Sequence, residues 1–142
     1  MMKLLIPLDG SPGELRAVNY VISHLEIYKT MPQLLLLNVQ WKVATANVKL
    51  FIDQTTINDY YLEQGMAALQ PARDVLKTAG LAYEYHISVG PPAESISRYA
   101  HEQGVDQIIM CREGQGGLQN FLLGSVLAKV LQQTDCPVLL VK

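Results

Sequence analysis

Five short apolar runs recur along the chain, each separated from the next by helical spacing, and this alternation narrows the possible folds more than any other feature. KLLIPL (3–8), QLLLLNV (33–39), AYEYHISV (82–89), DQIIMC (106–111) and PVLLVK (137–142) read as strands. Four of them are almost unbroken Leu, Ile, Val and Met, the pattern of strands covered on both faces in a parallel sheet. The third alternates, with Tyr83, Tyr85 and Ile87 on one side and Glu84, His86 and Ser88 on the other. That pattern predicts an edge strand with one wetter face.

Apolar stripes at helical spacing lie between the strands: Leu15, Val18, Ile22 and Leu25; Leu62, Met66, Leu69 and Leu76; Ala93, Ile96 and Ala100; Leu127, Val130 and Leu131. Gly80 and Gly104 fall where helices should stop. The order β-α-β-α-β-α-β-α-β predicts an α/β fold: a five-stranded parallel sheet, doubly wound, with helices on both faces and right-handed crossovers. At 142 residues, one domain spanning 1–142 is expected. The one long connection runs from Trp41 to about Thr56.

Composition excludes several function classes. Net charge is −2 and the basic residues are scattered, so the basic face that a nucleic-acid groove needs is missing. The N-terminal apolar run, about six residues ended by Pro7 and Asp9, is too short for a signal peptide or a membrane span. No membrane association and a cytoplasmic location are therefore expected. Cys111 and Cys136 should lie at opposite ends of neighbouring parallel strands, about 15 Å apart and unable to bond. His24, His86 and His101 are isolated, without ligand-like spacing, so no metal site is expected.

In a doubly wound sheet, ligands bind past the C-terminal ends of the strands. The first such loop is DGSP (9–12). Asp9 can accept hydrogen bonds from a ribose or an adenine amino group, or it can simply cap the following turn. The loop after the fourth strand, REGQGGLQNFLLGS (112–125), carries Gly114, Gly116 and Gly117 before Gly124-Ser125 opens a helix. Glycines allow backbone amides to approach phosphate oxygens, and a helix N-terminus attracts anions. The same residues also serve a tight turn with a Ser cap. There is no Gly-Lys-Ser/Thr, so this is not a Walker A loop, and Gln119 replaces the third glycine of the dinucleotide fingerprint.

The whole chain resembles the universal stress protein family. PLDGSP resembles that family's opening signature, VGPPAESISRYAHEQGVDQIIM its segment before the fourth strand, and GQGGLQNFLLGSVLAKVLQQTDCPVLLVK its C-terminal third. Many ATP-binding members carry G-x-x-G-x9-G-S/T. Here Gly114, nine residues and Gly124-Ser125 match the last three elements, while Cys111 takes the place of the first glycine. A positive φ at that position would cost Cys111 roughly 1 to 2 kcal/mol. The resemblance implies an adenine nucleotide alpha hydrolase-like fold and an adenosine pocket lined by Pro7, Leu8 and Asp9. It also implies that Val39 offers backbone groups to the base, with Met110 and Arg112 bordering ribose and phosphates. Gly114, Gly124, Ser125 and Val126 would then hold the phosphates. ATP is the implied ligand, with Mg or Mn entering through its phosphates. A homodimer through the C-terminal strand is implied too. The function expected is a nucleotide-dependent switch or binding module in stress response. The alternatives are a nucleotide-free dimeric interaction module and, third, a weak ATPase. Nothing in the sequence positions a general base or an activated water, so no catalytic residue is assigned.

Overall fold

Each apolar run forms a strand: β1 (Lys3–Pro7), β2 (Gln33–Gln40), β3 (Glu84–Val89), β4 (Gln107–Cys111) and β5 (Val138–Val141). The helices are α1 (Leu15–Ser23), α2 (Gln54–Thr78), α3 (Pro92–Glu102) and α4 (Ser125–Gln133), with 3-10 turns at Pro12–Glu14 and Leu25–Ile27. This computed structural model describes residues 1–42, 54–112 and 124–142. Most of the long connection, and Gly114, Gly116 and Gly117, lie outside the described residues.

The strands pair in the order β3-β2-β1-β4-β5, and every pairing is parallel. The chain therefore builds outward from β1 to β3, returns, and builds β4 and β5 on the other side. Side chains alternate between two layers. Leu4, Ile6, Leu34, Leu36 and Ile109 pack with Val18 and Val21 of α1 and Leu69 and Leu76 of α2. Leu5, Leu35, Leu37 and Ile108 pack with Ala93, Ile96 and Ala100 of α3 and Val130 of α4. Both faces of the central strands are thus covered, which explains their unbroken apolar sequences.

Pro7 sets a limit on the central pairing. The Lys3 carbonyl accepts from Asp106 N–H at 2.9 Å on the β4 side, and Leu8 N–H donates to the Leu37 carbonyl at 2.8 Å on the β2 side. Backbone groups alternate sides along a strand, so the Pro7 nitrogen faces β4. It has no hydrogen to donate. The β1–β4 register runs Leu4↔Gln107 and Leu5↔Ile108 and goes no further, whereas β1 and β2 pair as far as Pro7↔Leu37. The β1–β4 ladder ends there, at the point where the strand order reverses.

Two expectations need correction. Leu62 is 54% exposed. The buried stripe of α2 runs through Tyr61, Gly65, Leu69, Ala72 and Leu76 instead. The cause is Gly65, which lets the helix backbone come down onto β3: a Cβ there would stand 2.6–2.8 Å from Ile87 side-chain atoms. The edge position of β3 is as expected, but Tyr85 is not on a dry side. It is exposed and lies 4.8 Å beneath the Arg73 guanidinium of α2, so a cation–π contact covers it where apolar packing does not. Gly80 (φ 72°) and Gly104 (φ 63°) end α2 and α3 in the left-handed conformation expected for C-terminal glycines.

Replacing a helical glycine by alanine ordinarily stabilises by about 1 kcal/mol. At Gly65 the sign reverses. Overpacking against the β-branched Ile87 should leave Gly65→Ala roughly 1 to 2 kcal/mol less stable, and Ile87→Ala should recover part of that loss. Urea denaturation of the single and double variants measures it.

Candidate functional site

A cleft of about 910 Å³ lies at the C-terminal edge of the sheet, where the β1–β4 ladder ends. Its walls come from positions far apart in sequence. Pro7 ends β1 and Leu8 and Asp9 follow it, Val39 lies next to last in β2, Met110 next to last in β4, and Gly124 caps α4, which Ser125 and Val126 begin. These are eight of the ten residues that the sequence singled out. Arg112 is not among the lining residues; its N–H donates to the Val141 carbonyl at 2.8 Å, extending the β4–β5 ladder. Gly114 lies outside the described residues.

The floor of the cleft is a hydrogen-bonded turn. Ser11 N–H donates to Asp9 Oδ1 at 2.8 Å, and Gly10 takes φ 91°. Gly10 is needed there for a second reason: a Cβ would lie 3.3 Å from the Ala68 backbone and side chain of α2. The turn reading of Asp9 is the one seen. One oxygen makes the turn, while the residue as a whole stays exposed to the cleft.

Asn38, buried between the layers, sends Nδ2 to the Leu8 carbonyl at 2.8 Å, and its Oδ1 accepts from Gln40 Nε2 at 2.6 Å. Strand alternation then puts the Val39 N–H and C=O on the β1 side, past the last β1–β2 pair. Opposite, α4 starts at Gly124, which has no side chain to cap the helix. Its first helical bond is Ala128 N–H to Gly124 C=O. The N–H groups of Ser125, Val126 and Leu127 have no helical acceptor and carry the positive end of the helix dipole.

Cys111, the departure from the family's glycine pattern, sits in β4 without a positive φ. The strain considered for it is absent. Its Sγ lies 3.3 Å from the Gly13 carbonyl and 3.5 Å from the Glu14 carbonyl, packed with the α1 layer. Burial pushes the thiol pKa up, so it is not an activated nucleophile. Cys136 lies at the other end of the sheet with Sγ near the Val105 carbonyl, and both cysteines are free.

The cleft also contains Trp41, which the sequence placed at the start of the long connection, and residues that sequence reasoning passed over. Trp41 is exposed at the rim, 67% accessible, with Tyr60 of α2 also lining the cleft. Ser11 is buried, and its Oγ has no hydrogen-bond partner among the described residues. Most consequential is Glu14, only 9% exposed. Its two carboxyl oxygens accept the N–H groups of Asp9 (2.6 Å) and Gly10 (2.7 Å). Ser11-Pro12-Gly13-Glu14 has capping-box spacing, and that was the available signal. Here the acid reaches beyond the Ser11 amide to the two residues before it.

Burial, and then hydrogen bonding to the neighbouring Asp9 carboxyl, raise the Glu14 pKa from 4.5 to about 8, against the opposing pull of the two backbone donors. Between those values the folded chain holds a proton that the unfolded chain has released. Stability from this group is therefore fully present below pH 4.5 and falls as the pH rises toward 8, by at most about 1.4 kcal/mol per unit. Urea midpoints measured from pH 5 to 8.5 should show this decline, and Glu14→Gln should flatten it.

The sequence profile of the universal stress protein family matches residues 1–142. Universal stress protein YxiE of Bacillus subtilis is 29% identical over 147 residues, covering 99% of this chain and 98% of the relative. The solved structure of MJ0577, a universal stress protein of Methanocaldococcus jannaschii, superimposes with a TM-score of 0.75 at 29% identity, covering 99% of this chain and 95% of that one. An Arabidopsis thaliana family protein solved with AMP bound shares the fold, with a TM-score of 0.68 at 19% identity over 100% of this chain and 92% of its own. With its profile matched from end to end and its fold shared, this chain belongs to the universal stress protein family.

Proposed function

We propose that this protein is a small cytoplasmic stress-response module that binds ATP or a related adenine nucleotide in the cleft and acts as a nucleotide-dependent switch. The observation that carries this reading is the convergence of Asp9, Val39, Met110 and the uncapped start of α4 on one cleft at the reversal of strand order. Each group offers what one part of a nucleotide needs. The exposed Asp9 carboxylate suits ribose hydroxyls, the Val39 backbone suits the edge of a base, and the Ser125–Leu127 amides suit phosphate. The orphaned Ser11 hydroxyl adds a polar group in need of a partner. Relatives of the same fold support the class of ligand, with AMP in the Arabidopsis protein and cAMP and dAMP in two others.

Among the described residues, no group of three or more His, Cys, Asp or Glu could hold a metal ion. A divalent ion entering on the phosphates is part of this reading. No helix among the described residues is long and apolar enough to cross a membrane. The position of Cys111 favours the nucleotide reading over a nucleotide-free module, because its thiol turns under α1. Leu140 on β5, 37% exposed at the sheet edge, supports a homodimer through that strand.

Saturating ATP or AMP should raise the melting temperature by roughly 5 to 10 °C when the ligand stands a hundredfold above its Kd. No shift with either would defeat the reading. Cys111→Gly should lose about 1 to 3 kcal/mol of stability through lost packing yet keep nucleotide affinity within about threefold. A large gain in affinity would mean that the thiol obstructs the phosphates. Light scattering should give twice the chain mass, and a monomer at working concentration would remove the dimer.

A further inference from the structure

We propose that Trp41 supplies the stacking surface for the base of the bound nucleotide, its indole ring packing face to face on the purine whose edge meets the Val39 backbone. This role rests on the nucleotide reading above and falls to a residue to which that reading gives no part.

The placement of Trp41 follows from the way β2 ends. Asn38 Nδ2 donates to the Leu8 carbonyl at 2.8 Å, and Gln40 Nε2 donates to Asn38 Oδ1 at 2.6 Å. On the β3 side, the Gln40 carbonyl accepts from Gly90 N–H at 2.9 Å, so the β2–β3 ladder runs to the last residue of β2. The strand is held on both sides up to Gln40, and Trp41 is the next residue. Two residues of chain span at most about 7 Å, so the Trp41 backbone stands no farther than that from Val39. Both residues line the same cleft.

An exposed tryptophan would by itself say little, because single apolar side chains on a surface are ordinary. Trp41 has aromatic company in the cleft. Tyr60 of α2, 49% exposed, lines the same space. Its ring meets Tyr61 edge-on, with centroids 5.9 Å apart and planes at 62°, and Tyr61 is buried in the core-facing stripe of α2. Gln64, one turn further along, and Ala67 and Ala68 continue that wall, and the two alanines add little bulk to the cleft. Two elements far apart in sequence, the end of β2 and the start of α2, therefore bring accessible aromatic surface to one cavity.

That surface is what the rest of the cleft lacks for a nucleotide. Asp9, the Val39 backbone and the Ser125–Leu127 amides all offer hydrogen bonds, which suit the ribose, the base edge and the phosphates. The two faces of the base are apolar π surfaces and ask for a flat partner. Indole and purine are both planar bicyclic rings, and stacking them removes ring area from water on both sides without using the polar edge of the base. Tryptophan also orders cheaply, with only two χ angles to fix. At 67% exposure the Trp41 ring has the surface to give.

Trp41 is the only tryptophan in the chain, so its indole signals identify themselves. In proton NMR of the unaltered protein titrated with AMP, the indole ring resonances should move upfield, as protons over the face of an aromatic ring do. They should saturate together with the calorimetric isotherm. Trp41→Ala should weaken AMP binding roughly 5- to 150-fold, and Trp41→Phe, which keeps a ring, should recover most of that loss. Neither variant should shift the melting temperature of the ligand-free protein by more than a few degrees, because the side chain is mostly exposed.

Indole resonances that stay in place at saturating AMP would overturn the proposal alone and leave nucleotide binding intact. So would a Trp41→Ala affinity within about twofold of the natural protein's, or a Trp41→Phe variant as weak as the alanine one. Failure to bind AMP at any concentration would remove both this proposal and the nucleotide reading.

Discussion

The organisation of this molecule hangs on a backbone hydrogen bond that cannot form. Pro7 stands in the central strand with its nitrogen toward β4 and has no hydrogen to give, so the β1–β4 ladder ends after Leu5↔Ile108. A proline is ordinarily foreign to a central strand. Here it sits at the last position of β1, at the one seam where the sheet's winding reverses, and its effect is to end the hydrogen-bonded ladder between two neighbouring strands. Leu8, Asp9 and Met110, which follow, line the cleft. Leu8 and Asp9 turn away on one side, while Met110 and Cys111 continue beside β5 on the other.

The polar groups that follow complete this opening. Asn38 takes the Leu8 carbonyl with its side chain. Glu14 takes the Asp9 and Gly10 amides. These backbone groups are satisfied locally by side chains, so the cleft stays open without stranding them. The hydrophobic layers hold these parts at fixed distances. Leu4 and Ile6 lock β1 to α1 and α2, Leu5 locks it to α3 and α4, and the cleft inherits the rigidity of both layers.

Much of this was legible in the sequence. Unbroken runs such as QLLLLNV announce strands buried on both faces, and the alternation in AYEYHISV marks an edge. The helical stripe through Leu62 misled because residue hydrophobicity cannot reveal how closely a helix approaches a sheet. Gly65 against Ile87, a close backbone approach, turned α2 so that Leu62 faces water. At the site, strand ends and the start of a helix identified the walls, since topology alone places them together. Glu14 was hidden for a different reason. Its importance comes from burial and from reaching back to residues 9 and 10, and an acid in a first turn ordinarily reads as a solvent-exposed cap. Cys111 looked like an obstruction on spacing grounds, yet its side chain follows the strand's alternation into the α1 layer.

The central claim is that one cleft, at the edge of the sheet where the β1–β4 ladder ends, receives an adenine nucleotide. Amide chemical-shift mapping with ATP or AMP tests it most directly. The account predicts perturbations concentrated at Asp9, Gly10, Val39, Gln40, Ser125 and Val126, with the opposite edge of the sheet, around Asp106 and Cys136, unchanged. Perturbations centred elsewhere, or none at saturating nucleotide, would contradict it.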